Sequence, residues 1–199
     1  MKIFSCIISI FFLFSYMQAQ VITNFENDSL DGWRSEGDGK YYIEAGVGNP
    51  GICMRIDDDA TGDTNLGIAP FPYLGNWTSA DTTDSIMVDV FLSKISGSIT
   101  PDLWVFRISG PGGSATSPGV TLTPEVWEHF SVSLDSSVWK LTTGNWDDLM
   151  AYVNHLEVRA EFINGDEFVR FDNIKLTFTP EIVPILPPVV SDFENGLYE

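Results

Sequence analysis

Apolar residues recur at every second position in this chain, and they do so in short runs closed by turn residues. Ile86, Val88, Val90 and Leu92 share one parity, as do Phe130, Val132 and Leu134, and Leu156, Val158, Ala160 and Phe162. Side chains alternate between the two faces of a strand, so each run is a strand with one face turned to a core. Lys40 to Ala45, Ile52 to Ile56, Asp84 to Leu92, Leu103 to Ser109, Glu128 to Leu134, Leu156 to Phe162 and Phe168 to Phe178 read as strands, separated by Gly, Pro, Asn and Asp turns. One segment breaks the pattern. Asn145 can cap a short helix, Asp147 and Asp148 sit in its positive first turn, and Leu149, Met150 and Val153 can face inward. No strand–helix alternation of the kind a parallel sheet needs is present. The expected fold is all-β, an antiparallel β-sandwich with one short helix.

The first residues are of another kind. One cation, Lys2, precedes an apolar run from Ile3 to Tyr16, and small Ala19 follows Gln18. The run is too short for a membrane span, so residues 1–19 read as a secretory signal peptide and the protein as secreted or held at the cell surface, without membrane insertion. Cleavage would remove Cys6 and leave Cys53, so the expectation is a core held by packing, without a disulfide or a zinc–thiolate site. The 28 acidic residues against 10 basic ones give a net charge of −18. That balance repels phosphate backbones and anionic lipid, which makes nucleic acid a poor partner.

Phe25-Glu26-Asn27 recurs near the other end as Phe193-Glu194-Asn195, and a Pro-rich run from Thr179 to Val190 precedes the second copy. Prolines favour stiff, extended chain without ladder hydrogen bonds. The expected organisation is a module over 20–178, a linker over 179–191, and the start of a second, truncated repeat over 192–199.

Several stretches could carry chemistry. Gly46-Val47-Gly48-Asn49-Pro50-Gly51 has the spacing of a dinucleotide loop, but Pro50 and a strand follow where a helix is required, so a hairpin is expected. Asp57-Asp58-Asp59-Ala60-Thr61-Gly62-Asp63 resembles the start of a calcium loop. Ile68 stands where the bidentate Glu would be, leaving either a solvated acidic turn or a cation-bridged one. Glu157 and Glu161 share a strand face about 13 Å apart, beyond the roughly 5–9.5 Å of paired glycosidase carboxylates. An ion pair of either with Arg159 is the plainer reading. His129 and His155 lie in no hydrolase motif, so no catalytic residue is assigned and the chain is not expected to be an enzyme. Phe71, Tyr73, Asn76 and Trp77 crowd a Pro-rich loop, where rings either stack on sugar faces beside hydrogen-bonding amides or cap an open end of the sandwich.

The ordered set Phe25-Glu26, Gly32-Trp33, Gly48-Asn49-Pro50-Gly51, Ala69-Pro70, Tyr73-Leu74-Gly75, Val88-Asp89-Val90, Trp127-Glu128-His129-Phe130 and Phe171-Asp172-Asn173-Ile174 resembles the laminin B domain (laminin IV type A) in a stand-alone bacterial form. The resemblance covers nearly all of 21–178, with Trp77 outside the pattern. It implies a jelly roll related to galactose-binding-like and carbohydrate-binding modules, and a non-catalytic role in adhesion or glycan contact. It also implies a structural Ca²⁺ where the first and last strands meet, with Glu26 and Asp172 as the matching acidic ligands.

The function expected from these readings is a secreted module contacting glycans or cell-surface polymers, one repeat of a larger surface protein. The alternatives are a structural spacer or adhesion repeat without a small ligand, and an accessory domain of a secreted hydrolase.

Overall fold

The computed structural model describes residues 20–58 and 64–182. The leader, most of the Pro-rich run and the second Phe-Glu-Asn copy lie outside the described residues. The strands are β1 (Val21–Thr23), β2 (Arg34–Glu36), β3 (Lys40–Gly48), β4 (Gly51–Asp58), β5 (Leu66–Ile68) and β6 (Ser85–Lys94). Short β7 (Ser98–Ile99) and β8 (Leu103–Trp104) precede β9 (Phe106–Gly110), β10 (Gly113–Thr116) and β11 (Gly119–Val120). The rest are β12 (Trp127–Ser133), β13 (Lys140–Gly144), β14 (His155–Arg159), β15 (Ile163–Asn164) and β16 (Glu167–Leu176). The expected helix is α1 (Trp146–Ala151), capped by Asn145, whose side chain accepts from the Asp148 amide at 2.9 Å.

Two antiparallel six-stranded sheets form the sandwich. The first runs β12-β6-β16-β4-β3, with β1 also on β16; the second runs β13-β10-β9-β14-β5-β2. Alternation sets the inner faces. Ile86, Val88, Val90 and Leu92 of the first sheet and Leu156 and Val158 of the second are buried. Phe130 and Val132, on edge strand β12, are only half-buried, and with Val105, Val120 and Val138 they border an apolar cleft of about 390 Å³ at the open side. Among the described residues no helix is long and apolar enough to cross a membrane.

β4 and β1 share one edge of β16. β4 pairs with Glu167–Phe171 and β1 with Ile174–Leu176, leaving a break at Asp172 and Asn173 where the register with β6 also shifts. Asn173 holds φ 51°, a left-handed conformation that asparagine tolerates better than most residues.

Two expectations are corrected. The linker does not begin at Thr179. Pro180 is buried, and the Glu181 amide and carbonyl each bond Asn76 at 2.9 Å, so the first Pro-rich residues are stitched to the module. Asp57 and Asp58 are not part of a solvated turn: they end β4, where Asp57 takes the Arg55 guanidinium and the Tyr42 hydroxyl, and Asp58 is buried. The hairpin expected at Gly46–Gly51 is present between β3 and β4.

Glu167 begins β16 in the core. Its Oε1 accepts the Phe162 and Ile163 amides at 2.8 and 3.0 Å, while Oε2 is buried without a partner. Burial, offset in part by those amides and reinforced by Asp58 and Glu161, pushes its carboxyl from the ordinary 4.5 to about 7. A carboxyl raised in the folded state stabilises below its unfolded pKa, and that contribution is lost as pH rises through the folded one. Stability should therefore fall between about pH 4.5 and 7. Urea titrations across this window should show Glu167→Gln flattening the fall by on the order of 1–3 kcal/mol.

Candidate functional site

The aromatic loop was the first candidate, and the structure removes most of it. Trp77 and Tyr73 are 0% and 1% exposed. The Trp77 indole donates to the Tyr73 carbonyl at 3.2 Å and packs edge-on against Phe178 at 5.5 Å. The Tyr73 hydroxyl lies 2.9 Å from both the Thr23 hydroxyl and the Ile174 carbonyl, bridging the first and last strands. Asn76 bonds Thr78 and the Glu181 backbone, and Phe71, at 56%, is the exposed one of the three rings. A buried ring cannot stack on a sugar, so Tyr73 and Trp77 cap the sandwich instead. Trp77→Ala should cost about 3–5 kcal/mol of stability in chemical denaturation, as deletion of a buried large aromatic does.

Glu26 and Asp172, the expected calcium pair, do lie around one feature, the Asn49–Pro50 turn. Glu26 Oε1 accepts the Ile52 amide at 2.9 Å, and Asp172 accepts the Asn49 and Asn173 amides at 2.6 and 2.7 Å. Asp89 pairs with Asp172 across the sheet, and its oxygens take the Asn49 and Asn173 side-chain amides at 3.2 and 2.8 Å and meet His129 Nδ1 at 2.6 Å. Burial, with Asp89 and Glu26 adding to it against the two amides, pushes Asp172 up to about 6. Among the described residues no three His, Cys, Asp or Glu side chains form a metal-ligand group. A cation here would need Glu26 and Asp172 supplemented by neutral oxygens such as those of Asn49. The donors are acidic, oxygen-only and without a Lys or Arg ion pair among the described residues, which is chemistry that suits calcium.

The outer faces of both sheets carry rings and guanidiniums, in different states. On the first sheet, Trp127, Phe91, Arg170, Arg55 and Tyr42 follow one another across five strands. Arg55 and Arg170 lie 3.7 and 4.5 Å from the Phe168 ring centre, and Glu44 binds Arg170 at 2.8 and 3.1 Å and Arg55 at 3.4 Å. Asp57 completes the neutralisation of Arg55. This face is closed on itself.

On the second sheet one row crosses all six strands: Arg34, Ile68, Glu157, Arg107, Thr116 and Lys140. Cross-strand partners share a face, and these point away from the core, since Leu156, Val158, Phe106 and Ile108 between them point in. Ile68, 4% exposed, supplies an apolar floor. Glu157, 6% exposed, pairs with Arg107. Arg159, two residues further on β14, donates Nε–H to the Glu161 carbonyl at 2.7 Å. Both guanidiniums lie over the half-buried Trp104 ring, at 5.2 and 4.9 Å from its centre. A parallel row of small polar groups, His155, Ser109, Ser114 and Thr143, borders them. The ion pair expected along β14 is thus replaced by one across to β9, where Arg107 stands directly opposite Glu157. The sequence offered the strand positions of Trp104 and Arg107 but not the register that joins them to β14.

No known family matches the sequence, and no curated protein matches it. Solved structures do match the fold. The L4b domain of human laminin alpha-2 superposes with a TM-score of 0.51 at 10% identity, over 64% of this chain and 80% of that one. A family 11 carbohydrate-binding module from Clostridium thermocellum, in complex with a β-1,3-1,4-mixed-linked tetrasaccharide, gives 0.51 at 17% identity, over 81% and 97%. The CBM22-2 xylan-binding domain from Paenibacillus barcinonensis gives 0.52 at 15%, over 80% and 99%. The chain therefore shares the antiparallel β-sandwich fold of these domains.

Proposed function

We propose that this chain is a non-catalytic module that contacts glycans outside the cytoplasm, and that the outer face of the second sheet is its contact surface. The observation that carries this reading is the row from Arg34 to Lys140 with Trp104 beside it. Five steps between strands make it about 24 Å long, enough for several sugar units. The members that reach solvent are Arg34, Arg107 and Lys140, with the half-buried Trp104 ring beside them, a mixture of ring and donors that suits a ligand with apolar faces and polar edges. The carbohydrate-binding modules of like fold support it, one of them in complex with an oligosaccharide. Glu157 is held by Arg107, which suits a positioned hydrogen-bond acceptor better than an acid–base pair. Affinity electrophoresis against plant, algal and bacterial polysaccharides should show retardation by at least one, reduced in Trp104→Ala by on the order of 1 kcal/mol, taking aromatic pairs as the guide. Full mobility with every polysaccharide would leave the spacer reading.

The calcium reading concerns the other face and is a proposal about stability. A Ca²⁺ held by Glu26 and Asp172 would tie the loop after β1 to the centre of β16, replacing the staple a disulfide provides elsewhere. A hundredfold excess over Kd would stabilise by about 2.7 kcal/mol. EDTA should then lower the Tm by roughly 5–10 °C in the unaltered protein and leave Glu26→Gln unchanged. Equal melting curves with and without EDTA would exclude the ion.

A further inference from the structure

The charge on the second sheet's outer face is at odds with the charge of the chain. The protein carries a net charge of −18 and 10 basic residues, yet Arg34, Arg107, Arg159 and Lys140 share this one face. The carboxylates on the same strand faces are Glu36, Glu157 and, past the end of β14, Glu161. Glu157 is spent on Arg107, and Glu161 accepts the Asn65 amide at 3.2 Å. Arg34 meets Glu36 only loosely, at 3.8 Å between side chains that are both more than half exposed.

Arg159 is the anomaly. Its guanidinium is half-buried and has no carboxylate ion pair among the described residues; its bond is to a backbone carbonyl. Its neighbour over the same indole is a second cation, Arg107. Burial, with Arg107 adding to it and Glu161 and Glu167 opposing, lowers its pKa from the ordinary arginine value. Buried charges in proteins are ordinarily paired. The first sheet keeps that rule, with Glu44 and Asp57 on Arg170 and Arg55. On the second sheet Arg159 has no such partner among the described residues, and a planar guanidinium there can take a carboxylate or sulfate through two parallel hydrogen bonds.

We infer that the glycan this face takes is an acidic polysaccharide, whose carboxylate or sulfate groups bind Arg159 and Arg107 beside Trp104 while Arg34 and Lys140 guide the strand at the two edges of the sheet. The inference rests on the reading of this face as the glycan surface and narrows it. The rest of the molecule works against nonspecific capture of polyanions, because its net negative charge repels them within about a Debye length of the surface. Binding therefore requires that the anionic groups fit this row.

The test compares the full chain on three sets of immobilised polysaccharides at equal concentration: polygalacturonate and alginate for uronate, carrageenan for sulfate ester, and xylan, mixed-linked β-glucan and agarose as neutral chains. Binding to an acidic set at least tenfold tighter than to the neutral set is expected, weakening as NaCl is raised, with the first two sets separating carboxylate from sulfate. Arg159→Ala should lose at least tenfold on the preferred acidic chain. Lys140→Ala, at an exposed edge position where folding is not at stake, should lose severalfold, and Lys94→Ala, on the other sheet, should lose nothing. Equal or tighter binding to neutral chains, or equal losses in Lys94→Ala and Lys140→Ala, would overturn the acidic preference and leave the glycan reading standing. Failure to bind any of the chains would overturn both.

Discussion

The last strand of the module lies in the middle of its first sheet, and everything else is arranged around that placement. β16 pairs with β6 on one edge and with β4 and then β1 on the other. A strand so placed is held through contacts of high sequence separation, which carry the largest loop-closure entropy. The one described cysteine, Cys53, is free and buried, so no disulfide helps. Closure is secured by side chains instead. Tyr73 reaches both Thr23 and Ile174, the Trp33 indole donates to Thr23 at 3.3 Å, and Trp33 and Tyr73 pack at 5.2 Å. The aromatic loop is thus the clasp of the fold, which is why Tyr73 and Trp77 are unavailable to a ligand.

The two outer faces use the same residue types to opposite ends. In the first sheet each central guanidinium lies between rings and carboxylates, with Glu44 and Asp57 neutralising both of them. In the second, Arg107 and Arg159 share one indole, and among the described residues only Arg107 has a carboxylate partner, Glu157. A guanidinium left half-buried beside a like charge raises the free energy of the unliganded protein, and a bound anion would relieve it. That difference is the reason the proposed contact surface is the second face, although both carry rings.

The alternation rule located the long central strands because each buries one face. Ile86 to Leu92 and Leu156 to Phe162 are core in the structure as their parity requires. Short strands such as Val21–Thr23, Arg34–Glu36 and Leu66–Ile68 were not legible: three residues cannot display a period, and Gly67, in the middle of one, adds no side chain. The binding face was illegible for a different reason. Arg34, Arg107, Lys140 and Arg159 are distant in sequence and meet through the register of six strands, which no local pattern encodes. The loop from Phe71 to Trp77 misled because ring density marks either a platform or a plug, and only burial distinguishes them. Glu26 and Asp172 were placed at one turn by a resemblance, and the structure brings both to Asn49–Gly51 through separate hydrogen bonds.

The most direct test of the ligand face is a solution NMR titration of ¹⁵N-labelled protein with oligosaccharides cut from the polysaccharide it binds. The account predicts shifts of the Trp104 indole N–H, the Arg107 and Arg159 Nε–H groups and the backbone of β9 and β14, with Arg55, Arg170 and the Trp127 indole unmoved. Shifts confined to the Trp127-to-Tyr42 row, with the Trp104 indole unchanged, would place the ligand on the first sheet and contradict it.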